Sequence, residues 1–380
     1  MLPVLRRSRP RLERCQNDCT LGPSARFISH LTSTSIGRRK PLLPPPSSFS
    51  ESLCVSSITP PYCEEVEEEV VNNTDYELGK ARRQARFDKE GEYRVYRELL
   101  EGKKTRFVSR VMYDGTNYKG FQLQDNGKRT VQGVLEKALS TRFQTYVPVV
   151  AAGRTDSGVH AIGQTVHFDL PNANEDLGKL TYSMNNMMPE DVRVWNMAVA
   201  PPSAPWQLEK GWPWSAMLNA RGKRYTYRLF VGPIQSPIDR LYRAHASQAA
   251  RSPIDVDLLY RTIPKFVGEH DFAGFSNEVE KREALKKGDG LGEFNTVRTV
   301  YSAEIIDEGG GNIRLEFHLD GALYRMVRNM VGTLLAVAAR RLEPESVDEI
   351  FRTRNRDSRL VYAAPAHGLT LETVLYDDYV

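Results

Sequence analysis

A short stretch between Gly153 and Gly158 collects residue types that can carry acid–base or nucleophilic chemistry. Arg154 lies two residues before Asp156, and an alternating apolar segment follows. This order predicts a charged loop at the mouth of a strand, and loops held by a sheet are where catalytic side chains concentrate. A turn in which Asp156 only satisfies neighbouring backbone groups is the simpler interpretation, which the spacing alone favours. The rest of the chain must decide between them.

A second candidate is Tyr225, on a strand predicted over residues 221–231. Because side chains alternate along a strand, Tyr225 and Tyr227 share one face, and Arg224 and Arg228 lie on the other. A pair of core tyrosines behind a solvated basic face explains this pattern. A tyrosine among basic residues can also stack on a nucleobase that has left its helix.

A third candidate is Arg328, on a helix predicted over residues 324–341. It follows Val327 of the apolar stripe and so lies at the edge of that stripe, where its guanidinium can reach a neighbouring loop. Extension into solvent is the ordinary alternative. Burial raises the pKa of an unpaired carboxyl group and neutralises it, so Arg328 is a candidate counter-ion for a buried acid.

Composition limits the classes of protein that this chain can be. The 380 residues are 26% charged and 40% hydrophobic, typical of a soluble protein with about two compact units. No apolar run approaches the roughly 20 residues of a membrane span. The net charge is +4, but residues 1–50 hold eight Arg and one Lys against two acidic residues. A nucleic-acid site in the remainder must therefore be a local patch.

The cysteines and the first hundred residues give further limits. All four Cys precede residue 64, so the body has neither a disulfide framework nor a thiolate metal site. Residues 1–58 are rich in Arg and Ser and poor in acid, which predicts a disordered leader of the kind that directs proteins to a mitochondrion or plastid. A basic arm that helps to hold RNA is the alternative, and it would leave the protein in the cytoplasm or nucleus. Residues 59–104 are expected to be a charged linker with a candidate helix.

The body alternates between strand and helix patterns. Strands are predicted at 106–113, 146–152, 166–170, 221–231, 298–306, 313–319 and 369–376, and helices from 131 to 139 and at 255–267, 324–341 and 345–352. This order predicts an α+β fold of two similar subdomains, residues 105–200 and 201–380, each a mostly antiparallel sheet with helices packed on it. The strand ending at Leu170 is expected to be half-buried, with His167 and Asp169 on its polar face. Residues 278–293 are expected to be a mobile insertion.

Taken together, the motifs resemble one family. The stretch from Gly153 to Phe168 closely resembles the signature of the TruA family of tRNA pseudouridine synthases. Further matches follow the family's order, at residues 113–124, 130–136, 185–191, 223–227, 271–272, 326–332 and 364–369. The resemblance spans Phe107 to Tyr376 and leaves out the leader.

The resemblance implies a homodimer with a central basic cleft between the two subdomains. It also implies that uridine is isomerised to pseudouridine in tRNA, in the anticodon stem-loop, without metal or cofactor and without a membrane. The catalytic residues carried over are Asp156, Tyr225 and Arg328, and those expected to bind RNA are Arg154, Tyr118, Gln122, Gln124, Lys223 and Arg224. Asp156 is implied to act after the uridine is flipped out, as nucleophile at the anomeric carbon or as base at the adjacent carbon. The sequence leaves both roles open.

Two departures from the family pattern concern the RNA grip. Residues 214–220 replace a segment that usually carries an Arg and a His, and Phe121 stands where a Trp is usual. Two other classes of protein remain. A metal-dependent hydrolase could use Asp156, His160 and His167, with His270 and Asp271, although the spacing within one loop and strand does not converge on a tetrahedral site. A noncatalytic tRNA-binding or tRNA-folding protein is the other, and the intact Asp156 argues against it.

Overall fold

The computed structural model describes residue 99 and residues 101–124, 127–171, 174–277, 295–357 and 361–377. All of these belong to one compact unit, Glu67–Val380. The expectations for the leader, for nearly all of the linker and for the insertion at 278–293 lie outside the described residues and stay predictions.

The described residues form a large, mostly antiparallel sheet. Its strands are β1 (Thr105–Tyr113), β2 (Val150–Ala151), β3 (His160–Leu170), β4 (Val192–Val199), β5 (Gly222–Phe230), β6 (Ala244–His245), β7 (Gly268–Asp271), β8 (Val297–Gly309), β9 (Asn312–Leu319) and β10 (Leu369–Leu375). The spatial order is β4-β1-β3-β10-β5-β9-β8-β7, with β2 on β3 and β6 on β5. Only β10 with β3 and β5 with β6 pair in parallel within this described part.

Helices pack on this sheet. They are α1 (Val131–Phe143), α2 (Leu177–Met187), α3 (Pro205–Glu209), α4 (Ala246–Ala250), α5 (Val256–Thr262), α6 (Met326–Ala338) and α7 (Ser346–Thr353). The predicted N-terminus of α1 is confirmed, since the Thr130 side chain accepts a hydrogen bond from the Gly133 amide at 3.3 Å. None of the described helices is long and apolar enough to cross a membrane. The α+β class predicted from the sequence is confirmed, and the division near residue 200 stays a prediction.

The last strand, β10, connects the two halves of the sheet. It pairs in parallel with β3, aligning Leu371 with Ala161, and antiparallel with β5, aligning Leu371 with Tyr225. Neighbouring strands lie about 4.8 Å apart, so Tyr225 is roughly 10 Å across the sheet from the start of β3. The loop that precedes β3 therefore opens beside Tyr225.

Helix α6 is more deeply buried than its sequence pattern predicts. Every residue from Met326 to Ala338 is buried except Arg328. A helix that is apolar on all sides belongs in a core. Arg328, at the edge of the predicted stripe, is consequently the one charged residue of the described helix, and it lies at a partly open site.

The prediction of a half-buried third strand is wrong. Every residue of β3 except Ile162 is buried, including His167 and Asp169. The segment around Trp214 covers the polar side of the strand: His167 accepts a hydrogen bond from the Ala216 amide at 3.1 Å, and Arg106 pairs with Asp169 at 2.7 Å. Polar residues are tolerated here because they have partners.

Two elements are shorter than predicted. The strand expected over 146–152 is reduced to β2, because the Val149 amide donates to the Glu136 carboxylate at 3.0 Å rather than to a neighbouring strand. The helix expected over 255–267 ends at Thr262 and continues as a 3₁₀ turn, Ile263–Phe266. Pro264 has no amide proton and so cannot extend the α-helical hydrogen bonds.

Candidate active site

The loop between β2 and β3 carries Asp156 and rests on a second turn. The Phe121 amide donates to the Thr155 carbonyl at 3.1 Å, and the Gly158 amide donates to the Tyr118 carbonyl at 3.3 Å. Gly120, between them, has a φ of +93°, and a Cβ there would lie 2.8 Å from the Thr155 oxygen. Only glycine allows this approach without strain. The turn at 118–121 therefore fixes the position of the loop that carries Asp156.

Asp156 forms an ion pair with Arg328. The Nη1 atom of Arg328 lies 2.9 Å from Oδ2 of Asp156, and their side chains are 13% and 17% exposed. No other hydrogen bond to the Asp156 carboxylate is found among the described residues. One carboxylate oxygen is thus held by a cation, and the other is available to a ligand.

Arg328 is itself fixed by the turn before β10. Its Nε donates to the Ala364 carbonyl at 2.8 Å, and the Ala364 amide donates to the Arg328 carbonyl at 3.0 Å. The guanidinium cannot move far without breaking these bonds. The Arg328 side chain thus connects helix α6 with the turn at Ala364 and with the loop at Asp156.

Tyr225 completes the central group from strand β5. It is 7% exposed and lines the same pocket as Asp156. Burial, followed by the nearby Tyr113 and Asp156, raises the pKa of its phenol well above the usual range. Tyr113, whose hydroxyl lies 2.7 Å from that of Thr155, is likewise buried, and its pKa is raised to about 12. Both phenols therefore stay protonated at neutral pH.

The pocket opens to solvent, offers about 340 Å³ of space between the protein atoms and combines apolar walls with charge. Its lining comprises Arg154, Thr155, Asp156, Val159, Tyr225, Ala322, Leu323, Arg325, Met326, Val327, Arg328 and Leu369. Three guanidinium groups stand against one carboxylate, and Arg154 is exposed to solvent. An excess of positive charge beside a carboxylate and a buried ring suits a ligand with a sugar, a flat base and a phosphate.

The predicted site residues separate into two sets. The pocket brings together Asp156, Tyr225, Arg328 and Arg154. The other predicted RNA-binding residues lie outside its lining, namely Tyr118, Gln122, Gln124, Lys223 and Arg224. Tyr118 is 2% exposed, with its hydroxyl bonded to Asp191 and Arg129, so its ring is not at the surface. Gln122 and Gln124 are half-buried and Arg224 is exposed, and their contacts with RNA stay predictions.

Lys223 lies beneath the loop that carries Asp156. Its Nζ donates to the Ala152 carbonyl at 3.2 Å, and a Cβ on Gly153 would lie 2.5 Å from that nitrogen. Burial, with a smaller contribution from Arg298, lowers the pKa of Lys223 to about 8. The placement gives Lys223 a supporting contact to the loop, and its predicted RNA contact stays a prediction.

The histidines of the motif have structural partners. His160 is 5% exposed, with its Nδ1 3.1 Å from the Gly115 amide and its Nε2 3.1 Å from the Leu241 carbonyl. Burial lowers the pKa of His160, which favours the neutral ring. Across the described ranges, no group of three or more His, Cys, Asp or Glu side chains is arranged to hold a metal ion.

Arg325 is the pocket residue that sequence reasoning missed. It lines the pocket directly before α6, three residues ahead of Arg328. That spacing was the available signal, because residues three apart lie on one side of a helical turn. The apolar wall residues Val159 and Leu369 carry no such signal.

The site has the features of an enzyme that acts on a nucleotide, and comparison with known proteins identifies the family. The family model described as tRNA pseudouridine synthase matches residues 110–207 and 263–377. Similar curated proteins include tRNA pseudouridine synthase A 1 of Protochlamydia amoebophila, 38% identical over 70% of this chain and 95% of the relative. tRNA pseudouridine synthase A of Lactococcus lactis subsp. cremoris (strain SK11) is 36% identical over 72% and 98%. The chain belongs to the tRNA pseudouridine synthase family.

The Bacillus licheniformis tRNA pseudouridine synthase A is 35% identical over 70% of this chain and 98% of the relative. Among solved structures, a Cbf5-Nop10-Gar1 complex matches with a TM-score of 0.24 and 11% identity, over 60% of this chain and 54% of that one. That likeness is too slight to support a conclusion. The family resemblance predicted from the sequence is confirmed by the relatives, and with it the enzyme class.

Proposed function

We propose that this protein isomerises uridine to pseudouridine in tRNA, with Asp156 acting on the ribose of a flipped nucleotide. One observation carries the proposal: a carboxylate held by a single contact to Arg328 stands beside a buried tyrosine in one pocket. The membership of the family supports the reaction type. The noncatalytic tRNA-binding alternative gives no reason for this arrangement.

The reaction exchanges one glycosidic bond for another without net loss of atoms. The bond between N1 of uracil and C1′ of ribose breaks, the ring turns, and a bond forms between C5 and C1′. The proton on C5 leaves and a proton is taken up at N1. No electrons enter or leave overall, so the isomerisation needs no redox partner.

Four residues that line the pocket have a part in this series of steps. The target nucleotide must leave its stack, at a cost of a few kcal/mol. Exposed Arg154 binds its phosphate or fills the vacated space, and Tyr225 stacks on the freed ring, a contact worth about 1–3 kcal/mol. Arg328 keeps Asp156 oriented for attack at C1′ or for proton removal at C2′. The phenol of Tyr225 stays protonated, so it can donate a hydrogen bond but is not available as a base.

Deuterium at C2′ of the ribose distinguishes the two roles of Asp156. If Asp156 acts as a base, the C2′–H bond breaks, and the labelled substrate reacts several-fold more slowly. If Asp156 is the nucleophile, that bond stays intact and the rates of labelled and unlabelled substrate agree.

Three further features belong to the same proposal. The modified uridine lies in the anticodon stem-loop, the enzyme is a homodimer, and residues 1–58 direct it to a mitochondrion or plastid. The motif resemblance supports the first two, and the Arg- and Ser-rich, acid-poor composition supports the third. Mapping pseudouridine in organellar and cytosolic tRNAs with and without the gene tests the first and the third together. Sedimentation of the purified full chain tests the second.

The direct test is tritium release from tRNA labelled at C5 of uracil, with excess chelator present. Release by the purified protein is expected, because the C5 proton is lost once per turnover. Binding of tRNA without release would refute the enzyme and favour the noncatalytic alternative. Release that stops with chelator would favour a metal-dependent reaction.

A further inference from the structure

Arg325 occupies a distinctive place in the catalytic pocket. It lines the pocket with Asp156 and Tyr225 and is the last residue before helix α6 begins. Arg325 takes no part in the ion pair between Asp156 and Arg328. A guanidinium at this place must therefore be explained separately.

The backbone of Arg325 is in the left-handed region, with φ +62° and ψ +7°. Residues with a Cβ disfavour this conformation, and such residues concentrate at functional sites. The left-handed turn ends the preceding loop and starts the helix. As a result, Arg325 lines the pocket from the residue before α6, and Arg328 lines it from the first turn of the helix.

Among the described residues, no acidic side chain compensates the charge of Arg325. Its Nε is buried and lacks a hydrogen-bond partner. Its guanidinium carbon lies 5.1 Å from the centre of the Tyr324 ring, a contact that holds the group without neutralising it. No ion pair of Arg325 with an acid occurs among the described residues, whereas Arg328 is paired with Asp156.

We propose that Arg325 binds a phosphate of the substrate strand next to the flipped uridine, an inference that rests on the proposed function. A guanidinium offers a planar set of donors that matches two phosphate oxygens. A phosphate beside Asp156 would otherwise place two negative charges together. Arg325 compensates the second charge, so that Arg328 remains with Asp156.

The test compares Arg325→Asn with Arg251→Asn. Asn tolerates the left-handed region, so Arg325→Asn removes the guanidinium without adding backbone strain. Arg251 is a matched control, because it is an exposed arginine with φ +53° that lies outside the pocket lining. Both variants lose one positive charge. Affinity for tRNA is measured from 50 to 200 mM salt by filter binding, with melting temperature as a check on folding.

A plot of log affinity against log salt concentration has a negative slope. The loss of one phosphate contact makes this slope shallower by about 0.7 to 0.9. Arg325→Asn is expected to show this change and to bind roughly tenfold more weakly, with an unchanged melting temperature, since a charge-assisted hydrogen bond is lost. Arg325→Lys should restore the slope and part of the affinity, because lysine keeps the charge but not the planar donors. Arg251→Asn should match the wild type.

Equal slopes and affinities for Arg325→Asn and Arg251→Asn would overturn the proposal. A loss confined to single-turnover rate, with the slope unchanged, would also overturn it, because it would place Arg325 on the uracil ring instead. Binding and its salt dependence are measured without turnover. Failure of the wild type to release tritium would therefore refute the proposed function independently of these outcomes.

Discussion

Two partly buried Arg–Asp pairs in this molecule differ in how many oxygens of the carboxylate accept a hydrogen bond from the arginine. Arg106 contacts Asp169 through two parallel bonds, Nε to Oδ1 at 2.7 Å and Nη2 to Oδ2 at 2.9 Å. Its third donor reaches the Trp214 carbonyl at 2.6 Å. Arg328 contacts Asp156 through one bond, Nη1 to Oδ2 at 2.9 Å. The first pair has both carboxylate oxygens engaged, and the second has one oxygen unused within the described residues.

The surroundings of the two aspartates differ in the same sense. Asp169 lies within strand β3, whose backbone needs no unusual conformation, and its side chain is 5% exposed. Asp156 lies on a loop that depends on the left-handed Gly120 and Gly158, and its side chain is 17% exposed. A saturated, buried pair suits stability, whereas an unsaturated carboxylate at a pocket suits chemistry. The two pairs therefore make a direct test of which feature serves which purpose.

The largest expected effect is on turnover, from Asp156→Asn. The amide keeps the shape but cannot act as nucleophile or base, so tritium release should fall by on the order of 10⁴-fold or more. Binding of tRNA and the melting temperature should remain near those of the wild type. The matched variant Asp169→Asn should lower the melting temperature while its folded fraction keeps near-normal turnover. Comparable turnover by both variants would remove the distinction between the two pairs.

The next largest effect is on the free energy of unfolding, and it is measured by comparing Arg106→Ala with Arg328→Ala. Arg106→Ala removes two charged hydrogen bonds from a buried carboxylate, which should lower the free energy of unfolding by about 3–5 kcal/mol. Arg328→Ala removes fewer bonds from a carboxylate that water can reach, so a smaller loss of about 1–3 kcal/mol is expected. Chemical denaturation measures both. Tritium release should reverse the order, with Arg328→Ala the less active variant, and equal stability losses would contradict the comparison.

A third test concerns the support of the loop, using Gly120→Ala. The new Cβ would have to displace the Thr155 carbonyl, which lies 2.8 Å from its position, and so shift Asp156. A misplacement of about 1 Å can cost roughly 10²-fold in rate. Gly127→Ala is the control, because Gly127 is also left-handed, at φ +65°, but has open space around it. Equal rates for the two variants would show that the turn does not position Asp156.

The sequence predicted much of this arrangement, and the parts that it missed have physical causes. Alternation located β1 and β5, and helical spacing located α6, because each buries one face or more against neighbours. The inclusion of Asp156 and Arg328 in one catalytic set came from motif order, since the two residues are 172 positions apart. No local pattern reports which distant segments will meet.

The failures follow from the same cause. His167 and Asp169 read as a solvated face because the covering segment at Trp214 is remote in sequence. Arg325 carries no local sign of its left-handed backbone, which the junction between loop and helix imposes. Lys223 reads as a surface cation on a basic strand, yet it packs under the loop at Gly153.

The smallest expected effect is a pH dependence of stability that arises from Lys223. It concerns the loop of Asp156, which Lys223 contacts, and not the strand of Asp169. Its pKa is about 8 in the folded protein against the ordinary 10.5, because burial disfavours its charge. Between these two pH values the unfolded chain binds more protons than the folded one, so the free energy of unfolding should rise with pH across that window. Below pH 8 both states are protonated, and the folded protein carries a buried charge.

The variant Lys223→Met removes this dependence, so its stability relative to the wild type should be greatest at pH 7 and should decline as the pH approaches 10.5. Urea denaturation at pH 7 and pH 9.5 measures the difference. Arg221→Met is the control, because Arg221 is an exposed cation two residues before Lys223. A pH-independent difference between Lys223→Met and the wild type would mean that Lys223 is hydrated rather than buried. It would then be free to contact RNA, as the family resemblance implies, and the loop of Asp156 would depend on its glycine turn alone.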